Sequence, residues 1–335
     1  MKKIFSLIAL VLLTLAIVGC TPKEEERTYK ADGVYVAWEL STNQATLYLA
    51  DGSSFKNAEN ATVKVTAPVL SLVRVEIRND EIVDFYIDEI QSKATATVNA
   101  ENALDITAVS FAFNAQSKKE LEYSYGMEKN GKLGEWFIQA TIIENNWLTS
   151  GVVAELPAAS ATITHDNYVT LANEAIQKAI DGKVSAVYAE TNCVHFVEGD
   201  IDEEGKISDV SLDAHYFNYI DKSTDQYDET NVTKYLVFAW DAESKYESYP
   251  EMLPGKSWQT MIDTLVSYIN TNGWDGTLLS GYYKDVSGTP TYQAGKGLNI
   301  NDVNVEALAS VTITVSNQVL VMNMLWKYFP EGWTE

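Results

Sequence analysis

The sequence predicts an α+β fold made of two similar domains in tandem, each a mainly antiparallel sheet with packed helices. Three observations carry that expectation. The block Ala159-Ser160-Ala161-Thr162-Ile163-Thr164 returns 150 residues later as Ala309-Ser310-Val311-Thr312-Ile313-Thr314. The register continues through Asn167/Asn317, Val169/Val319 and Asn173/Asn323, eight identities in fifteen ungapped positions. A period that long is too large for a solenoid unit and matches one compact domain. Finally, strand-like alternation comes in hairpins and helical spacing follows in separate blocks, an order that argues against a doubly wound parallel sheet.

Residues 1–20 stand apart from the repeat. Lys2 and Lys3 form a positive n-region, the run from Ile4 to Val18 is apolar, and Gly19 precedes Cys20. The run is short for a bilayer span of roughly 20 residues and suits a signal peptide. It also resembles the bacterial lipoprotein signal, which implies lipidation of Cys20 and a place on the extracellular face of the cell membrane. Residues 21–28, with Glu24, Glu25 and Glu26, read as a polar tether. Without Lys2 and Lys3 the formal charge falls from −23 to −25, so nucleic acid and anionic headgroups are not expected partners. Beyond Cys20 the only thiol is Cys193, which leaves no intramolecular disulfide and puts stability on the core. With 46% apolar residues, 19 Tyr and 8 Trp, about 150 residues per repeat suffice for that.

The repeats are expected to cover 29–180 and 181–335. Each opens in the same style, Asp32-Gly33-Val34-Tyr35 and Asp181-Gly182-Lys183-Val184, with Asp181-Gly182 also stopping a preceding helix. Val73 to Phe85 alternates on both sides of Asn79-Asp80, a hairpin pattern. Its counterpart, Phe196 to Val210, places Asp200, Asp202, Glu204, Gly205 and Ile207 as in a calcium loop, but Ser211 stands where the bidentate Glu belongs. A hairpin turn is therefore expected there, and no metal. Repeat one is expected to carry extra strands between Thr42 and Pro68.

Ser117-Lys118-Lys119-Glu120 and Ser244-Lys245-Tyr246-Glu247 are a third shared block, each leading to a Gly-Lys and then a Trp. After each Trp the spacing turns helical: Trp136, Ala140, Ile143 and Trp147, then Trp258, Met261, Ile262, Leu265 and Ile269. Residues 281–304, broken by Gly288, Pro290, Gly295 and Gly297, read as a long loop. Each copy closes with the Thr block and an amphipathic helix, Val169, Ala172, Ile176 and Ile180 sharing one face and Val319, Met322, Trp326 and Phe329 the other copy's. Thr162 and Thr312 thus precede helix N-termini, where N–H groups and the dipole favour a phosphate. Cys193, His195 and His215 lack a fourth ligand of evident spacing and read as strand residues.

Taken together, the Asp-Gly-x-Tyr opening, the hairpin, the Ser-Lys to Tyr-Gly-Met segment, the Gly-Lys to Trp helix and the Thr block resemble FMN-binding domains. Closest in pattern are the duplicated, lipid-anchored flavoproteins of Gram-positive extracellular electron transfer. The resemblance implies FMN joined by a phosphoester to a threonine, installed by a flavin transferase that takes FMN from FAD. Thr162 and Thr312 take the acceptor place of Asp-x-x-Ser/Thr-Gly-Ala-Thr. Around Thr162, Ala161 matches, Ser160 and Ala159 replace Gly and Ser, and Leu156 replaces Asp; around Thr312, Val311, Ser310 and Ala309 depart while Glu306 supplies an acid. The bland reading is a β-prone, capping Thr block.

Three functions follow as expectations. The first is an electron carrier, rather than a substrate-converting enzyme, with FMN on Thr162, Thr312 or both and Trp136 and Trp258 as stacking candidates, passing electrons from membrane donors to external acceptors. The second is a flavin-free surface lipoprotein that binds a ligand or partner. The third is a noncovalent flavin or haem binder.

Overall fold

The computed structural model describes residues 27–57, 59–98, 104–157, 160–221, 236–240, 243–249, 251, 257–274, 308, 311 and 315–330. Cys20, Thr312 and the stretch 281–304 lie outside the described residues. The fold is α+β. Four strands, β1 (Gly33–Leu49), β2 (Lys64–Arg78), β3 (Glu81–Val98) and β4 (Leu104–Phe113), form one sheet in sequential order. Helices α1 (Lys118–Leu121), α2 (Trp136–Ser150) and α3 (Asp166–Asp181) follow. The second half repeats the order: β5 (Lys183–Glu190), β6 (Cys193–Ile201), β7 (Ile207–Asp221) and β8 (Leu236–Trp240), then α4 (Lys245–Ser248), α5 (Trp258–Asn272) and α6 (Ser316–Tyr328).

The β2–β3 hairpin closes at Asn79 and Asp80, both at positive φ, as a two-residue turn that matches strand twist requires. The Asp32 carboxylate accepts the Asn79 N–H at 2.6 Å, and the Asp80 carboxylate accepts those of Thr28 and Tyr29. The turn is thereby fastened to the start of the fold. In the second half the corresponding turn spans 202–206, where Lys206 N–H donates to the Asp202 carboxylate at 2.7 Å. The expected extra strands between Thr42 and Pro68 are instead continuations: β1 and β2 stay paired from Gly33↔Ile77 to Thr46↔Lys64. Past Gln91, β3 leaves β2, pairs with β4, and runs parallel to the end of β1 at Leu47↔Ala94. The first sheet therefore curls on itself.

Alternation along β1 and β2 divides the interior in two. Tyr35, Ala37, Val73, Val75 and Ile77 face the helices, while Val36, Leu70 and Leu72 face a second cluster with Leu47, Val65, Phe111, Val187 and Val194. Valines from β5 and β6 in that second cluster show the two sheets meeting there, as does the contact of Trp38 with Phe196 at 5.0 Å. The helix-facing cluster is also continuous across both halves. Phe329, after α6, packs edge-on against Tyr35 of β1 at 5.1 Å, and Ser185 Oγ donates to Val36 O at 2.8 Å.

Each expected helix forms, with one rotation of face. In α3 the buried side chains are Tyr168, Leu171, Ala172, Ala175 and Ala179, whereas Ile180 is exposed. The small residues face inward because α3 lies close over β1, β2 and β5. Trp136, Ala140, Ile143 and Trp147 are buried as the spacing requires, as are all five marked residues of α5. Among the described residues no helix is long and apolar enough to cross a membrane.

Between α3 and β5, Gly182 adopts φ +72°, its N–H closing the helix on Lys178 O, and a Cβ there would stand 2.5 Å from Ile201 O. Gly182→Ala is expected to cost on the order of 2 to 3 kcal/mol, combining left-handed strain with overpacking against backbone. Urea unfolding measures it; a loss no larger than that of Gly205→Ala, where a Cβ meets nothing, would contradict the assignment.

Candidate functional site

Thr162 lies in the loop joining α2 to α3, four residues before Asp166 begins the helix. Its side chain is exposed, but its position is set by a buried group. Gln139 of α2, 2% exposed, turns its carboxamide oxygen to the loop. That oxygen accepts from Thr162 N at 2.6 Å, Thr162 Oγ1 at 2.9 Å and Ile163 N at 3.2 Å. Its Nε2 donates to Gly134 O at 2.9 Å, so all the polar atoms of the amide are used. Burying them costs little because each is paired.

A second side chain braces the same loop. His165 precedes α3, and Leu156 N–H donates to its Nε2 at 2.7 Å. That nitrogen therefore carries a lone pair, which places the proton on Nδ1, facing Ile163 O at 2.8 Å. With the ring so engaged, no side chain of the described residues caps α3. The first-turn N–H groups and the positive end of the helix dipole stay available to an anion, although Asp166 adds one negative charge beside them. A phosphoester on Thr162 fits this setting: the hydroxyl is exposed, and the backbone bonds to Gln139 would survive its modification.

Both indole candidates for stacking are corrected by the structure. Trp136 and Trp258 are each 2% exposed, and Trp136 packs edge-on to Tyr168 at 6.1 Å, so neither offers a face to a flavin ring. Each instead lies under a lysine of the shared Ser-Lys block. Lys118 Nζ sits 5.4 Å from both the Trp136 and Tyr125 rings, and Lys245 Nζ sits 4.7 to 4.8 Å from Tyr249, Trp258 and Tyr216. The helix starts match as well: Ser117 with Glu120, and Ser244 with Glu247, form capping boxes. Asp88 accepts the Lys119 N–H as Asp213 accepts that of Tyr246, which aligns Glu89 with Ala214.

At that aligned position the two halves diverge. Glu89 pairs with Lys118 at 2.6 Å, both about nine-tenths buried, and also accepts from Tyr168 OH at 2.6 Å and Gln91 Nε2 at 3.0 Å. Burial and the nearby Glu89 carboxylate push the Tyr168 phenol well above its usual range. Ala214 supplies no carboxylate; Lys245 donates to Tyr216 OH at 2.9 Å and forms no ion pair with the described residues. Across the sheet, Ser71 opposite Glu89 becomes His195 opposite Ala214. A Ser-Glu pair and a His-Ala pair hold the same number of side-chain heavy atoms, so the exchange conserves volume while removing a charge.

His195 is 6% exposed, and its Nε2 lies 3.0 Å from the Asn317 amide of α6. Burial, helped by the charge of Lys245, pulls its pKa down to about 3. His215 pairs across from Val194 and stacks on Phe196, on the opposite face from His195. Cys193, His195 and His215 are therefore not brought to one point. What sequence reading missed was Gln139 and His165; their only signal was a polar residue at an otherwise apolar helical position and a His next to a Thr block.

Two outcomes follow from these pairings. Lys118→Met strands a buried carboxylate and is expected to cost on the order of 3 kcal/mol, whereas Lys245→Met removes cation–π contact and is expected to cost about 1 kcal/mol. Equal losses in urea unfolding would contradict the divergence. Between pH 6.5 and 3 the unfolded chain holds a proton on His195 that the native chain lacks, so stability falls as pH falls through that window. From pH 7 to 5 the native chain is expected to lose on the order of 2 kcal/mol that His195→Gln retains, read as the change in their stability difference.

No protein-family model, no curated protein and no solved structure matches this chain.

Proposed function

We propose that this chain is a lipid-anchored carrier of covalent FMN at the cell surface, passing electrons from membrane donors to external acceptors. The observation that supports it best is Thr162: an exposed hydroxyl, held in place by the buried Gln139 amide, at the entrance to a helix that no described side chain caps. Thr312 is the second acceptor in this reading, and Cys20 is the lipidated residue. In the loading step the threonine Oγ attacks the phosphorus of the FMN half of FAD. The P–O–P bond breaks, AMP leaves, and the hydroxyl proton passes to a base of the transferase, because a threonine hydroxyl alone is a weak nucleophile. The bound flavin supplies the redox chemistry, and this chain supplies attachment and surroundings.

One observation favours the flavin-free binding module instead. Leu156 occupies the acid place of the acceptor motif, packs partly buried against the core, and gives its N–H to His165. On that reading the Thr block is a braced loop and nothing more.

Co-expression with a flavin transferase, followed by intact-mass analysis, separates the two. The carrier reading expects an added mass equal to FMN less water for each loaded threonine and ultraviolet fluorescence of the band in a denaturing gel. Thr162→Ala together with Thr312→Ala is expected to abolish both signals. An unmodified chain after co-expression with an active transferase would favour the binding module.

A further inference from the structure

Among the described residues, nothing covers the outward face of α2, and that face is apolar. Seven large apolar side chains are exposed among the described residues, and five of them gather here. Ile142 and Leu148 lie on the helix, Leu133 and Val152 within three residues of its ends, and Tyr123 packs edge-on against Phe137 at 5.2 Å. The face is also without charge. Glu144 is the only ionisable residue of α2, and it turns inward to Lys119 and the Ile87 N–H. Folding does not demand this composition, because α5 does without it. The two helices bury matching residues, Trp136, Ala140, Ile143 and Trp147 against Trp258, Ile262, Leu265 and Ile269, yet Ile138, Ile142 and Leu148 become Thr260, Thr264 and Asn270. An apolar patch kept in water on one copy alone marks a contact surface.

We propose that this face docks on a lipid bilayer, so that the fold lies against the membrane and does not merely hang from its anchor. The inference rests on the reading that Cys20 is lipidated. From Cys20 to Arg27 the chain spans at most about 25 Å even fully extended, half the breadth of roughly 50 Å expected of a fold this long. Only faces near the tether's junction can therefore touch lipid. That junction is the β2–β3 turn, where the Asp80 carboxylate accepts the Thr28 and Tyr29 N–H groups. Phe85, about 17 Å farther along β3, meets Trp147 in the last turn of α2 at 5.6 Å. Leu148 and Val152 thus stand within the tether's reach. Charge selects the same face, because a chain of formal charge −23 is held off by headgroup phosphates wherever its carboxylates lead. Phe137, Ile142 and Leu148 enter the boundary between headgroups and acyl chains, the level at which amphipathic helices lie. Docking also brings the Thr162 loop, tied to α2 through Gln139, to headgroup level beside the membrane donors.

A dye on α2 tests this. The full chain is isolated with its lipid, reconstituted in phosphatidylcholine vesicles and labelled with nitrobenzoxadiazole at Leu148→Cys on α2 or at Ser267→Cys on the outward face of α5; Cys193, 4% exposed, stays unlabelled. With the dye at position 148, emission is expected to shift to the blue on vesicles and to be quenched by a spin-labelled lipid, while at position 267 neither happens. Adding Ile142→Asp is expected to abolish the shift at position 148 while the chain stays on the vesicles through its lipid. The Cys20→Ser chain, which cannot take the lipid, is expected to sediment as a monomer in solution with the dye at position 148 in water. A dye at position 148 that stays in water on vesicles, equal shifts at both positions, or a shift that survives Ile142→Asp would overturn the inference while leaving the anchored reading intact. So would a dye already shielded in the Cys20→Ser chain, which would assign the face to another segment of the chain in a monomer or to a second copy in a dimer. Absence of a lipid from Cys20 in chain taken from its native cells would overturn the anchored reading itself, and the inference with it.

Discussion

The middle of β2 and the start of β1, Tyr35 to Ala37, are covered on both faces, and most of the fold is arranged around that constraint. From Ala67 to Val73 every residue of β2 is buried, an unusual condition for an antiparallel strand, whose sheets commonly leave one face to water. One cover is the helical layer, which reaches from Trp136 and Tyr168 to Phe329; the other is the second sheet, through Val187, Ala189 and Val194. The first half thus relies on the second for part of its burial. Phe329, close to the last described residue, completes the pocket around Tyr35 near the start of β1. Gly33 is required there because a Cβ would stand 2.2 Å from the Phe329 ring.

Within this shared apolar frame the polar interior has been reassigned between the halves. The Ser-Lys capping boxes, the aspartates that receive their helix N–H groups and the aromatic floors beneath the lysines are the same. The carboxylate is not. Where the first half neutralises its lysine with Glu89, the second packs His195 into the same volume and keeps it uncharged by burial. A buried ion pair stabilises weakly on balance, because desolvation offsets most of the Coulomb gain, so exchanging its anion for a neutral ring of matched size is tolerable. The remaining ammonium is accommodated by three rings and a phenol oxygen.

The loop ahead of α3 is braced by the Gln139 amide and the His165 imidazole, two side chains that hold its backbone and fix the direction of the Thr162 hydroxyl.

Much of the α+β architecture was legible in the sequence because it is encoded locally. The Asn79-Asp80 turn, the stop at Gly182 and the helical spacing after Trp136 and Trp258 each depend on residues a few positions apart. The repeated block at Thr162 and Thr312 likewise needed no structure to be seen. Packing decided the rest. Periodicity marks an apolar stripe on α3 but cannot say that alanines, and not Ile180, face a sheet lying close beneath. It names Trp136 and Trp258 as aromatic and leaves open that they floor a lysine in the core. Nor can it join Gln139 to Thr162, 23 residues away, or part His195 from His215. Those relations arise where elements distant in sequence meet, and tertiary structure alone sets which atoms come within hydrogen-bonding reach.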